Sequence, residues 1–264
     1  MAIELQENEP VLIEQIADLL IEISCTLMTS GAHTMRINQN IARMAETFGY
    51  TAELSVFQLS IMMTLMHKEN PLDRITLIRK TKPLLINYSF VSEISSLSWN
   101  CFDQRLSYAK VKEEYEKIIQ QKRISRWTVL ILVAFANAAF CGLFHGDLAA
   151  MGLVFGATLI GFYVRQVLIS YHWNHLFVFT VSAFIASISA GLGYAFEGIT
   201  TTPDIAVGAS VLYLVPGVPM INSMLDIIQG HILTGTARLV NAISLIVCIA
   251  MGMFLTMIIL GLVK

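Results

Sequence analysis

Charge is divided so unevenly along this chain that one half of it cannot be an ordinary water-soluble domain. Residues 1–126 hold 14 of the 17 lysines and arginines and 15 of the 19 aspartates and glutamates. Residues 127–264 keep only Arg165, Arg238, Lys264, Asp147, Glu197, Asp204 and Asp226. A soluble domain commits about a quarter of its residues to charge, several times what this half offers. The expectation is a water-soluble domain over 1–126 and a transmembrane domain over 127–264. The overall charge of −2 describes neither part and gives no sign of nucleic-acid binding.

The apolar half contains five segments near the roughly 20 residues that cross hydrocarbon as a helix. They run over about 127–144, 148–167, 176–196, 205–221 and 239–263. Lysine and arginine in short loops mark the cytosolic face. Lys122, Arg123 and Arg126 precede the first segment, Arg165 ends the second and Arg238 precedes the fifth. The opposite loops carry Asp147, Glu197 and Asp204, with no cation before Lys264. This pattern puts the N-terminal domain in the cytosol and the C-terminus outside it. The acidic start MAIELQENEP lacks the basic-then-apolar order of a cleaved signal.

Within 1–126 the hydrophobic period changes several times. Apolar residues at helical spacing predict helices over 10–30 and 33–48, separated by Gly31. Alternation and turn residues then predict strands over 50–57, 60–67 and 74–79, antiparallel because their links are short. The Ile61–Met66 run reads as a buried strand. Helices over 87–102 and 107–121 follow, the second with Glu113 and Lys117 at a supportive spacing. The fold class is therefore a membrane protein: a cytosolic α+β domain followed by five transmembrane α-helices.

The segment 214–238, LVPGVPMINSMLDIIQGHILTGTAR, holds most of the candidate chemistry. Pro216, Gly217 and Pro219 break an apolar run, because proline removes a backbone donor and clashes with the preceding turn. Broken helices in lipid are tolerated where they line protein or a water-filled cavity, a common way for transporters to build a binding site. Asp226 reads either as a proton-coupling carboxylate or as a solvated loop aspartate. Asn222 and Gln229 either bind a carboxylate or cap the broken helix. Arg165 and Arg238 either meet an anionic substrate or anchor the chain at the interface. His231 reads either as a functional imidazole of the site or as plain polar surface.

Other polar positions carry weaker signals. His172 and His175 lack a third metal ligand, and Asn137 reads as an interhelical hydrogen bonder. Gly152 and Gly156 offer one small-residue packing face, and Ser182, Ala186 and Ala190 offer another. The scattered Cys25, Cys101, Cys141 and Cys248 form no metal pattern, and no hydrolase or nucleotide-binding motif occurs. Neither cofactor nor metal nor enzyme activity is expected.

Four stretches resemble the threonine/serine exporter family, in particular its split-chain YjjP-type branch. They are the turn Ser30–Arg36 leading to Arg43, the pair Arg126-Trp127, the run Tyr163–Gln166, and the segment from Leu214 through Gly230-His231 to Arg238. The resemblance implies a bacterial inner-membrane subunit completed by a separately encoded small membrane subunit of YjjB type, in an oligomeric assembly. It implies export of a small carboxylate or amino acid, and Gly230-His231 is similar to the branch associated with succinate efflux. Gly31, His33 and Arg36 become a candidate cytosolic gate. The expected function is a proton-driven secondary efflux transporter; the alternative is a membrane-anchored sensor or scaffold with a cytosolic ligand-binding domain.

Overall fold

The computed structural model describes residues 12–82, 84–121, 124–195 and 198–262. Lys122, Arg123, Glu197 and Lys264, used above for orientation, lie outside the described residues, as do residues 10–11, 196 and 263 at the expected helix ends. The described elements run in the order α1 (Ile13–Thr29), α2 (Thr34–Thr47), β1 (Tyr50–Val56), β2 (Ser60–His67), β3 (Arg74–Lys80), α3 (Tyr88–Gln104), α4 (Tyr108–Gln120), α5 (Arg126–Leu143), α6 (Leu148–Ser170), α7 (His175–Ala190), α8 (Leu192–Ala195), α9 (Pro203–Ala209), a 3-10 turn (Leu212–Leu214), α10 (Gly217–Ile228) and α11 (Ile232–Ile259).

These elements form two compact units. The first combines Met1–Lys122 with Val218–Leu239, and the second combines Arg123–Gly217 with Val240–Lys264. The sequence reading put all of 127–264 in one membrane domain. In the structure Val218–Leu239 packs with the N-terminal residues instead. The polar contacts responsible are described with the candidate site.

The first unit is an α+β structure. Its three strands form an antiparallel sheet in the order β1-β2-β3, with Tyr50 opposite His67 and Ser60 opposite Lys80. Alternation along β2 turns Ile61, Met63 and Leu65 into the core, while Met62, Thr64 and Met66 lie on the other face. The apolar run is thus only half buried. Leu20, Ile23 and Leu27 of α1 and Ile37, Ile41 and Met44 of α2 complete that core. Asn87 caps α3 and Ser107 caps α4 through side-chain oxygens that accept first-turn N–H groups.

The second unit is helical. Among the described residues, four helices are long and apolar enough to cross a membrane: α5, α6, His175–Tyr194 and α11. The count reaches five only if the broken pair Pro203–Leu214 and Gly217–Ile228 is taken together. The break expected within the segment 205–221 is present: α9, the 3-10 turn and α10 are separate short pieces, and the pair is bent by 59°. Large apolar side chains such as Ile131, Phe135, Val247 and Phe254 point outward. Such a surface would aggregate in water and suits lipid. The chain is a multi-pass membrane protein.

Several polar groups inside this unit are matched to one another. Asn137, as expected, bonds across helices: its amide donates to Thr158 Oγ1 (2.7 Å) and to the Ala209 carbonyl (3.0 Å). Ser187 and Thr256 hydroxyls meet at 2.6 Å. Asp147 caps α6 and accepts from Ala150 N–H (2.6 Å), Thr201 N–H (2.7 Å) and Thr200 Oγ1 (2.8 Å). These bonds, led by the one from Ala150, hold its carboxyl well below the usual range.

Close helix packing falls at glycines other than those expected. Nothing lies within 4 Å of where a Cβ would sit on Gly152 or Gly156. At Gly161 a Cβ would stand 2.6 Å from Tyr213 Oη and 2.7 Å from Ala186 Cβ. The face of Ser182, Ala186 and Ala190 is fully buried, as expected. Gly161→Ala is expected to cost about 1–3 kcal/mol through overpacking and Gly152→Ala almost nothing. Thermal unfolding in detergent checks this, and equal midpoints for the two variants would contradict the packing described.

Candidate functional site

The break in the apolar run is local backbone chemistry. Val215 and Pro216 interrupt the helical path, and Gly217 opens α10. Pro219 then falls in the first turn of α10, where N–H groups lack intrahelical partners and proline is tolerated. The helix continues to Ile228 and ends at Gly230, whose φ of +88° is the left-handed conformation glycine supplies cheaply at a helix end. The His231 N–H closes that turn by donating to the Asp226 carbonyl (2.8 Å).

Asn222 and Asp226 lie one turn apart on α10 and share a face. In the first unit that face meets the turn between α1 and α2. The Asn222 amide donates to the Gly31 carbonyl (2.8 Å), and the Thr34 N–H donates to Asp226 Oδ1 (2.9 Å). His33 stands at the N-cap of α2 but supplies no side-chain cap. A carboxylate from nearly two hundred residues away therefore caps this helix, and its charge also suits the positive end of the helix dipole. The other Asp226 oxygen pairs with Arg238 Nη1 at 2.6 Å. Asp226 is fully buried and Arg238 nearly so.

This geometry corrects several readings. Asp226 is not a solvated loop residue, and the Asn222 amide is already engaged. Arg238 does not precede the last span but sits inside α11. Thr234, on the first turn of α11, donates from its hydroxyl to the Val56 carbonyl at the end of β1. These bonds explain why Val218–Leu239 belongs to the first unit.

Several polar atoms around the pair remain unpartnered although buried: His33 Nδ1, Thr34 Oγ1, Gln229 Oε1 and His231 Nε2. Gln229 lies beside His33 without closing a hydrogen bond. Burial first, and the Arg36 guanidinium second, push the His33 imidazole below its ordinary value. Of the expected gate, Gly31 meets Asn222 and His33 lies near Asp226, while Arg36 follows one turn later on α2. Gly31 has a φ of +99°, a conformation in which a side chain would be strained.

In the second unit the residues of two resembling stretches meet. The Trp127 and Tyr163 rings stack at 5.9 Å, and Gln166 Nε2 donates to the Arg126 carbonyl (3.2 Å). Arg165 lies within α6 rather than at its end. Its guanidinium carbon is 5.5 Å from the Phe162 ring centre and 5.1 Å from that of Phe179. Its Nε is buried without a partner, and no carboxylate among the described residues pairs with it. Tyr213 packs edge-on against Phe162 at 5.6 Å, and His175 packs against Phe179 at 4.7 Å. Tyr213 Oη and Ser182 Oγ are likewise buried and unpartnered. Cation–π attraction gives about 2 kcal/mol when desolvated, whereas burying an ion costs several. The aromatic rings leave part of that cost unmet, and an anion would meet it.

Among the described residues no group of three metal-ligating side chains occurs, so His172 and His175 remain a pair. Comparison with known proteins places these features in a family. The family model described as "Putative threonine/serine exporter" matches residues 18–260. The chain belongs to the threonine/serine exporter family. A Klebsiella aerogenes protein named "Probable succinate transporter subunit YjjP" is 29% identical over 92% of this chain and 93% of its own length. Its Escherichia coli K12 counterpart, of the same name, is 31% identical over 91% and 94% respectively. No solved structure matches the chain. The chain is therefore a transporter-family membrane protein.

Tyr213 escaped the sequence reading, and Ser182 entered it only as a small packing residue. Neither has a local pattern that distinguishes an unpaired hydroxyl from a satisfied one. Asp226→Asn is expected to destabilise the protein by about 3–5 kcal/mol, because it leaves Arg238 buried without its counter-charge. A detergent unfolding midpoint equal to that of the unmodified chain would remove the pair from this role. His33 makes a pH prediction: its lowered folded value means that stability is full above the unfolded value of about 6.5 and is lost as pH falls through it. His33→Asn should flatten the dependence of the unfolding midpoint on pH in that range, and an unchanged slope would count against it.

Proposed function

We propose that this chain is one subunit of a secondary efflux transporter of the bacterial inner membrane, exporting a succinate-like dicarboxylate out of the cytosol. A separately encoded small membrane subunit completes the pathway, the proton gradient drives it, and the N-terminal unit lies in the cytosol with the C-terminus outside. The chain carries out transport and no chemical conversion. The observation that carries this reading is Arg165: a guanidinium inside the apolar unit with no acidic partner among the described residues, near the unpaired Tyr213 hydroxyl and in the same unit as the unpaired Ser182 hydroxyl. Guanidinium binds carboxylate through two parallel hydrogen bonds, and Tyr213 and Ser182 can donate to the same anion.

The substrate preference has a chemical reason. Threonine or serine would bring an ammonium group that needs an acidic partner. Arg165, His175, Ser182 and Tyr213 include no carboxylate. A dicarboxylate suits this set better, in keeping with the names of the two relatives and the Gly230-His231 pair. Asp226 and Arg238 supply a coupling element in this reading, because protonating the carboxylate removes the charge that holds Arg238. Pro216, Gly217 and Pro219 shape the backbone that carries them.

Co-reconstitution of the chain and its small partner in liposomes tests the proposal. Succinate flux driven by an imposed pH difference is expected, with threonine flux much smaller. Arg165→Lys keeps the charge but loses the planar fork, so flux should fall at least tenfold while insertion is retained. Undiminished flux in this variant would overturn the role of Arg165, and flux indifferent to the pH difference would overturn proton coupling. Asp226→Asn with full proton-driven flux would remove Asp226 from coupling.

A further inference from the structure

The first unit carries a second cationic feature, separate from the Asp226 pair and from Arg165. A groove of about 250 Å³ opens between α2 and α3, lined by Arg36, Gln39, Asn40 and Arg43 on one side and by serines and Trp99 on the other. Its lining contains two arginines and no acidic residue. Arg36, Asn40 and Arg43 follow at helical spacing along one face of α2, as do Ser92, Ser95 and Trp99 along α3. Two amphipathic helices that bury Ile37, Ile41, Val91 and Ile94 elsewhere thus line a cleft with polar side chains.

The groove is organised rather than merely charged. The Arg43 guanidinium carbon lies over the Trp99 ring, 3.9 Å from its centre. Its Nη1 donates to Ser98 Oγ (2.6 Å) and to Asn40 Oδ1 (3.0 Å). Asn40 is itself buried and donates to Ser95 Oγ (3.1 Å), and Ser98 donates to Asn40 Oδ1 (2.7 Å). One edge of Arg43 is therefore fixed by two hydrogen bonds to Asn40 and Ser98, which are themselves hydrogen-bonded, while Nε and Nη2 bond to no described residue. Arg36 is exposed and has no ion-pair partner among the described residues. Structural arginines on helix surfaces commonly meet a carboxylate. Here one guanidinium is held by neutral groups, and a second stands two turns away, with no acidic partner for either among the described residues.

We infer that this groove binds a small dianion, a dicarboxylate or inorganic phosphate, with Arg36 and Arg43 each taking charge and the Gln39 amide and Ser92 hydroxyl available to complete its hydrogen bonds. Two separated cations favour a ligand with two negative charges over a monoanion, and a fixed, stacked guanidinium loses little entropy on binding. The ligand bridges α2 to α3, and α2 is the helix whose N-terminus Asp226 caps. Occupancy thus acts on the element that holds the Asp226–Arg238 pair. This inference does not rest on the transport reading.

Trp99 reports on the site directly. The full chain with Trp127→Phe and Trp173→Phe keeps Trp99 as its one tryptophan and keeps an aromatic ring at both stacked positions. Titration of this protein in detergent with succinate, and separately with inorganic phosphate, at constant ionic strength is expected to give a saturable change in Trp99 emission. Saturation by succinate alone assigns a dicarboxylate site, and by phosphate alone a phosphate site. Arg43→Gln should abolish the response. Because that change also loosens Asn40 and Ser98, Arg36→Gln, at an exposed side chain, is the second variant and should weaken binding at least tenfold. No saturable change with either dianion, equal binding of acetate, or an Arg36→Gln protein that titrates unchanged would each overturn the inference. The measurement needs no flux, so failure here and failure of the transport reading are distinguishable.

Discussion

The Asp226 carboxylate, shared between the Thr34 backbone and the Arg238 guanidinium, decides which residues make up the N-terminal unit. Its two oxygens meet groups separated by most of the sequence. Holding such distant segments together costs conformational entropy, though the cost rises only slowly with the length of the intervening chain. What offsets it is a set of mutually dependent polar contacts: the cap on α2, the ion pair, the Asn222 bond to Gly31 and the Thr234 bond to Val56. Removing a single member leaves buried groups unpaired, which costs more than each bond contributes on its own. The break at Pro216 follows the same logic. A continuous span over this stretch could not present Asn222 and Asp226 to the turn before α2.

The second unit obeys a different constraint. Apolar side chains gain nothing from leaving lipid for one another, so helix association relies on close approach and interhelical hydrogen bonds. Gly161 admits Tyr213 and Ala186, Gly252 admits the Thr180 carbonyl, and Asn137 joins α5 to α6 and to the end of α9. Against those satisfied polar groups, Arg165 Nε, Tyr213 Oη and Ser182 Oγ stand out as buried atoms without a hydrogen-bond partner. The same contrast identifies the groove on α2, where Arg43 is oriented by neutral partners and left without a counter-charge.

Much of the fold was legible in the sequence. Helical spacing gave α1 and α2, alternation and turn residues gave the three strands and their antiparallel pairing, and the loss of charge after residue 126 located the membrane helices. The ends moved by a few residues, as at α6, which runs on to Ser170. The small-residue argument succeeded for Ser182, Ala186 and Ala190 and failed for Gly152 and Gly156, because a glycine stripe does not say which side of a helix has a neighbour. The candidate site was legible as a list of unusual residues. Asn222, Asp226, Arg238 and His33 were singled out, but their partnership with one another was not.

The sequence by itself determined the division into a charged α+β part and an apolar helical part, the strand order and the interruption at Pro216. These follow from local composition and periodicity, which act over a few turns of chain. Only the tertiary structure decided that Val218–Leu239 belongs with the N-terminal residues, that Asp226 caps α2 while pairing with Arg238, and that Arg165 and Arg43 have no acidic partner among the described residues. Those are pairings between side chains far apart in sequence. Whether a buried charge is balanced depends on what lies within a few ångströms of it, and neighbouring residues in the chain do not reveal that.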